Sequence, residues 1–381
     1  MTGIYVHIPF CKRRCIYCGF YSTVLLDEKS RYVEAVCREL TEYSSLTGDE
    51  VSTIYIGGGT PSLLTLDEVR RIREQISRCY RVDEGAEFTM EGNPDDLTAE
   101  YLDGLRAIGV NRLSMGVQSF DDARLSFLHR RHTSSQALAA VRNAQTAGFD
   151  NISIDLMFGF PGQTLDEWRQ DVDTALSLGV QHLSAYSLMY EEGTSLTAML
   201  ERGEIEEVAD ELSLQMYEYL IDAAAAKGYD HYELSNWALP GRQSRHNSSY
   251  WQGVPYIGVG AAAHSYDGKD RWSNPENLLS YIKGMESGTL VRDYEHLDPQ
   301  QRYDEYVMTG LRTNRGVSLC QLRSVFGQKF FDYCMTNAQP HIDAGRMEIV
   351  GEQTHQPFLR LTRAGLFVSN DIMSDLMDVE T

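Results

Sequence analysis

Residues 3–18 read GIYVHIPFCKRRCIYC. The first six, GIYVHI (3–8), are mostly β-branched or aromatic and read as a buried strand. Pro9 ends that run. A loop follows with thiols at Cys11, Cys15 and Cys18, a C-x-x-x-C-x-x-C spacing. A strand that hands its chemistry to the loop after its C-terminal end is the habit of parallel α/β folds.

The same pattern recurs downstream. VSTIYI (51–56), AEFTME (86–91), NRLSMGV (111–117), NISIDLMFG (151–159) and QHLSAYSL (181–188) read as strands. Amphipathic segments at 28–45, 66–80, 97–109, 121–147, 165–179 and 208–227 read as helices, with Thr65 placed to cap the second and a break near Thr133 in the fourth. Gly109 suits the end of the third. Six such units predict an α/β fold built on a partial (β/α)6 barrel of the TIM type, with an open doubly wound sheet as the alternative. The barrel is favoured because Gly, Cys, Glu, Gln and Asp cluster after strand ends.

Residues 1–228 are therefore assigned to the barrel core. Residues 229–295 are aromatic and glycine-rich and are expected to add strands and loops that close the barrel mouth. Residues 296–381, with short helices and a hairpin pattern, predict a small winged-helix-like domain.

Composition limits the partners. With 34 Lys+Arg against 55 Asp+Glu, the net charge is −21, which argues against a nucleic-acid surface. No apolar run is long enough to span a bilayer, and the first residues do not read as a signal peptide. A cytoplasmic location is expected.

Seven cysteines form no disulfide framework, because four are scattered singly at 37, 79, 320 and 334. Three clustered thiols with no nearby fourth ligand suit a [4Fe–4S] cluster with one open iron better than a structural zinc site, which takes four ligands.

These residues resemble the radical S-adenosylmethionine (SAM) enzymes, and more narrowly the oxygen-independent coproporphyrinogen oxidases and their relatives. The resemblance continues through GGGTPS (57–62), EGNPDDL (91–97), RLSMGVQSF (112–120), SIDLMFGFPGQT (153–164), HYELSNWA (231–238) and RLTRAG (360–365). It implies that Cys11, Cys15 and Cys18 hold the cluster and that its open iron chelates SAM. Electron transfer into the sulfonium then releases methionine and a 5′-deoxyadenosyl radical, chemistry that belongs to the cofactors. It further implies SAM contacts from Tyr5, Tyr17, Gly58, Gly59, Thr60, Glu91, Gln118 and Asp155. Arg130 would pair with the SAM carboxylate.

Three features set the chain apart from the oxidases that it resembles. Tyr5 lies near the start, where the oxidases carry a longer arm. Phe20 stands where they have a further cysteine. HNSSYW (246–251) fits the H-N-x-x-Y-W motif of the HemW-type heme chaperones. Gly19 also replaces an Asp common among the relatives. The resemblance then implies a cytoplasmic heme-binding protein that delivers heme, with His246, Tyr250 and Trp251 near the heme and His264 as a competing ligand. The implied partners are heme, recipient hemoproteins of the respiratory chain, and a one-electron donor such as flavodoxin where SAM is cleaved. A coproporphyrinogen oxidase and a radical SAM enzyme with another substrate are the alternative readings.

Overall fold

A computed structural model describes residues 2–45, 48–351, 353 and 356–378. Strands β1 (Thr2–Ile8), β2 (Val51–Gly58), β3 (Val82–Gly92), β4 (Arg112–Gln118), β5 (Ile152–Phe158) and β6 (His182–Ser187) lie side by side in chain order, all parallel. Helices α1 (Lys29–Glu42), α2 (Leu66–Cys79), α3 (Ala99–Ile108), α4 (Asp122–Phe127), α5 (Ser134–Thr146) and α6 (Leu165–Ser177) make the crossovers.

Local chemistry sets the helix starts. Thr65, Thr133 and Thr164 each close a capping box with Glu68, Gln136 and Glu167. Gly109 stops α3 in the left-handed conformation, at φ 102°.

The two faces of the parallel strands differ. Ile4, Val6, Ile8, Ile54, Ile56, Met115 and Ile154 pack with Val33, Val36, Ile72 and Val141 of the helices into one core. Burying each such side chain stabilises by about 1.5–3 kcal/mol. Helices α7 (Ser195–Glu201) and α8 (Asp210–Ala226) follow β6. Trp168 of α6 is fully buried and donates its indole N–H to the Met216 carbonyl of α8 at 2.7 Å, tying the two helices together. The alternate residues Tyr5, Tyr55, Glu91, Ser114 and Asp155 belong to the other, polar face. There every buried polar group needs a partner.

Residues 229–295 supply strands, as expected, but they extend both edges of the sheet. Strands β7 (Asp230–Glu233) and β8 (Asn236–Ala238) form a hairpin that pairs antiparallel with β6. Helix α9 (Arg245–Trp251) leads to β9 (Tyr256–Val259), which runs parallel to β1. Strands β10 (His264–Tyr266), β11 (Asp270–Ser273), then α10 (Leu278–Ser287) and β12 (Asp293–His296) finish that side. Among the described residues, the sheet has twelve strands in the order β12-β11-β10-β9-β1-β2-β3-β4-β5-β6-β8-β7 and stays open.

The C-terminal unit has α11 (Pro299–Leu311), β13 (Val317–Ser318), α12 (Leu319–Asp343), β14 (Met347–Val350), β15 (Phe358–Leu361), α13 (Arg363–Leu366) and α14 (Ser369–Leu376). Helix α12 bends at Gly327, where φ is 85°, so it is two helices in sequence. Helix, strand, two helices and a β14–β15 hairpin give the expected winged-helix order. Its own core gathers Tyr303, Val307, Leu322, Leu359 and Ile372. Among the described residues, no helix is long and apolar enough to cross a membrane.

Candidate functional site

The cysteine loop leaves the C-terminal end of β1 and is closed at its base. Thr23 donates its backbone N–H to the Pro9 carbonyl at 2.7 Å, and Cys11 donates to the Thr23 carbonyl at 2.9 Å. Ile16, between the second and third thiols, is the loop's anchor. It packs with Leu128, Met157, Phe160, Leu188 and Leu196 in a separate small core. Cys11 is buried, while Cys15 and Cys18 are partly exposed.

Burial pushes the Cys11 and Cys18 thiols up from their ordinary pKa, so a free thiolate is disfavoured there. Positive irons would reverse that balance. Among the described residues, no group of three or more His, Cys, Asp and Glu side chains is arranged to hold a single metal ion. The donor set of three thiols on one anchored loop fits an iron–sulfur cluster, with its further ligand from outside the chain.

Gly58 and Gly59 press the end of β2 against this loop. A Cβ at Gly58, where φ is 113°, would sit 2.7 Å from the His7 ring, and one at Gly59 would sit 2.9 Å from the Phe10 carbonyl oxygen. Both positions exclude a side chain for packing reasons alone. Thr60 places its hydroxyl 3.4 Å from the Cys11 sulfur.

Glu91, at the end of β3, accepts from the Tyr55 hydroxyl at 2.7 Å and from the Gly58 N–H at 3.0 Å. Burial nonetheless raises its pKa to about 7, and Asp155 on β5 rises to about 6 for the same reason. The Ser114 hydroxyl donates to Asp155 at 3.4 Å.

Gln118 ends β4 with φ 70°, a strained conformation for a residue other than glycine, beside a register shift against β5. Arg130 lies across that end. Its guanidinium donates to the Asn93 side chain and the Gly116 carbonyl, and to the Cys15 sulfur at 3.6 Å. Burial works against its charge, but its polar neighbours outweigh that cost and its pKa is raised. Its Nε is buried with no partner among the described residues. An orphaned guanidinium donor beside the cysteine loop suits a carboxylate ligand.

The structure thus gathers Tyr17, Gly58, Gly59, Thr60, Glu91, Gln118 and Arg130 at the ends of the strands around the thiols, while Asp155, expected at the end of its strand, sits in the middle of β5 near Glu91. Tyr5 lies deeper, with its hydroxyl 2.9 Å from His7 Nδ1. Asn93, His7, Tyr55 and Arg112 were missed by the sequence reading. Arg112 is buried at 1% exposure and faces Glu91 and Asp155 as their counter-charge. Only the EGNPDDL motif hinted at Asn93.

The HNSSYW segment is placed elsewhere, which corrects its expected position at the mouth. It forms α9, and α9 packs against the N-terminal parts of β1–β3, opposite the cysteine loop. The Glu87 carboxylate accepts from the Arg245 and His246 backbone N–H groups, both at 3.1 Å, so it caps the positive start of the helix. The His246 ring is buried. Its Nδ1 lies 2.8 Å from the Thr53 hydroxyl and its Nε2 2.8 Å from the Tyr250 hydroxyl. Neither ring nitrogen is open in this arrangement. His264 is exposed on β10.

Comparisons with known proteins identify the family. Residues 5–175 match the radical SAM superfamily and residues 297–368 match the HemN C-terminal domain. The chain is 37% identical to the heme chaperone HemW of Bacillus subtilis, over 86% of this chain and 88% of the relative. It is 34% identical to HemW of Synechocystis, over 98% and 96%. A mouse mitochondrial protein, radical S-adenosyl methionine domain-containing protein 1, is 33% identical over 83% and 74%. Among solved structures, the coproporphyrinogen III oxidase HemN of Escherichia coli superposes with a TM-score of 0.84 over 99% of this chain and 90% of that one, at 23% identity.

Proposed function

Because this chain belongs to the radical SAM superfamily, in its HemW branch, we propose that it is a cytoplasmic heme chaperone that binds heme and hands it to hemoproteins. The observation that carries this reading is similarity over nearly the whole chain to proteins named heme chaperones. The likeness to HemN, at 23% identity, speaks for the fold alone.

In the same reading Cys11, Cys15 and Cys18 hold a [4Fe–4S] cluster, and SAM lies against it. A cluster held there would provide one-electron reduction of the SAM sulfonium, with a donor such as a flavodoxin as the source of the electron. The chain's own residues bind and orient. Arg130 holds the SAM carboxylate through its unpartnered Nε, while Asn93 and Gly116 fix the guanidinium. Gly58 to Thr60 border the methionine part. Glu91, Gln118 and Asp155 serve the amino and ribose side, and Tyr17 packs beside the adenine. Recipient hemoproteins of the respiratory chain are the proposed destination of the heme.

The test is anaerobic reconstitution with iron and sulfide, then hemin titration with and without SAM. A saturable Soret shift is expected. Multiple-turnover conversion of coproporphyrinogen III under reducing conditions would replace this reading with the oxidase.

A further inference from the structure

We infer that the groove between α9 and the C-terminal unit is the heme seat, recognising the macrocycle by its flat faces and its carboxylates. The inference rests on the heme reading above and assigns it a location.

The groove has a volume of about 920 Å³, within the roughly 300–1,000 Å³ of small-molecule sites. One wall is Tyr250, Trp251 and Tyr256, and the other is Tyr306, Phe326 and Phe358. Tyr250 and Tyr256 meet edge to face at 4.7 Å, and Tyr306 and Phe326 lie 5.3 Å apart. Such walls offer broad, rigid apolar area to a planar ligand.

The charge is the opposite of the chain's. In a protein of net charge −21, the lining holds, among the described residues, three arginines, Arg271, Arg302 and Arg315, against one acid, Glu305. Glu305 is engaged by Arg271 at 2.5 Å. Arg302 and Arg315 form no ion pair among the described residues. Arg315 lies 4.9 Å over the Phe358 ring, and Arg312, behind the lining, lies 4.9 Å over Trp251. Two free guanidiniums beside aromatic walls match a flat molecule that carries carboxylates. The Ser248 hydroxyl and the Trp251 indole N–H also border the groove, buried and without partners among the described residues.

The groove explains the motif. Tyr250 and Trp251 form its wall. His246 stands one layer behind as a positioning residue, holding the Tyr250 hydroxyl at 2.8 Å while Thr53 holds its other nitrogen. Among the described residues, no His or Cys lines the groove. Recognition through faces and carboxylates therefore extends to a porphyrin without iron.

The experiment titrates the full chain with hemin and, separately, with metal-free protoporphyrin IX. The variants are Arg302→Glu/Arg315→Glu, Arg302→Lys, and Arg142→Glu on the exposed side of α5 as control. The expected result is at least tenfold weaker binding of both ligands by the double variant. Arg302→Lys should keep most of the affinity, Arg142→Glu should match the parent, and melting temperatures should agree. If the parent binds neither ligand, the heme reading itself fails. If the folded double variant keeps parental hemin affinity, the groove assignment fails and the heme reading stands. Hemin binding without protoporphyrin binding would overturn recognition by faces and carboxylates. A concentration-dependent dimer, lost in the double variant with hemin affinity unchanged, would give the groove to a second copy of the chain.

Discussion

The two ends of the parallel sheet are made of different materials. At the C-terminal ends lie thiols, glycines in close contact, a strained Gln118 and an arginine with an unused donor. At the N-terminal ends lies α9, whose histidine has both nitrogens spent on the protein, and beyond it an aromatic groove edged with arginine. The first end leaves strain and open valences, as a reactive centre does. The second offers flat surface and charge, which is enough to carry a ligand. In the proposed reading the length of the strands separates cofactor from cargo, and each prediction below acts on one end while the other is watched.

The largest expected effect is the removal of the three thiols. Cys11→Ala/Cys15→Ala/Cys18→Ala should abolish the iron–sulfur absorbance after reconstitution while leaving hemin affinity within a few-fold of the parent. A tenfold loss of hemin affinity in that variant would join the two ends into one site. Arg130→Ala comes next. It removes a charged hydrogen bond worth about 1.5–3 kcal/mol, so SAM should bind roughly 10- to 150-fold more weakly, read by calorimetry on the reconstituted protein. Parental SAM affinity would take Arg130 out of the site.

How much of this was legible depended on how local the cause is. Capping boxes at Thr65 and Thr133, the stop at Gly109 and the strand-then-glycine pattern are written within a few residues. The six parallel strands follow from them. The position of α9 is not local. Its seven residues have no apolar period to show which end of a sheet they cover, and the contacts that decide it, Glu87 to the His246 N–H and Thr53 to the ring, span more than 150 positions. The same holds for β9, which joins β1 across 250 residues, and for Asn93, whose partner Arg130 is on another crossover.

His246→Phe tests the nature of the lower end. It leaves the Thr53 and Tyr250 hydroxyls without their shared partner, and a buried unsatisfied group costs about 1–3 kcal/mol. A loss of about 2 kcal/mol in denaturant unfolding at pH 7.5 is expected, with the cluster absorbance intact. Hemin binding should weaken less than in the Arg302→Glu/Arg315→Glu variant. Complete loss of hemin binding in a folded His246→Phe protein would make His246 a ligand.

The smallest effect separates the ends by pH. Burial holds Glu91 up to about 7 and Asp155 up to about 6. Between about pH 4 and 7 the folded chain therefore keeps protons that these groups release on unfolding. Their contribution to stability is complete below about pH 4 and is lost as pH rises through 6 and 7. At the other end, burial lowers His246 to about 3. There the unfolded chain takes up the proton, so stability is lost as pH falls below about 6.5. His7 acts as His246 does, with its pKa lowered to about 4, so the parent's curve is a sum of opposing slopes. Glu91→Gln isolates one of them. The amide keeps one acceptor for Tyr55 or Gly58, so the level of stability shifts at every pH, and the slope is the readout. Thermal melts of the cluster-free protein at pH 5, 6, 7 and 8 should show the stability of Glu91→Gln relative to the parent rising with pH, by on the order of 1–3 kcal/mol across the range. Parallel curves for variant and parent would mean that Glu91 is already ionised at pH 5, and the upper end would then carry a standing negative charge for the SAM ammonium to meet.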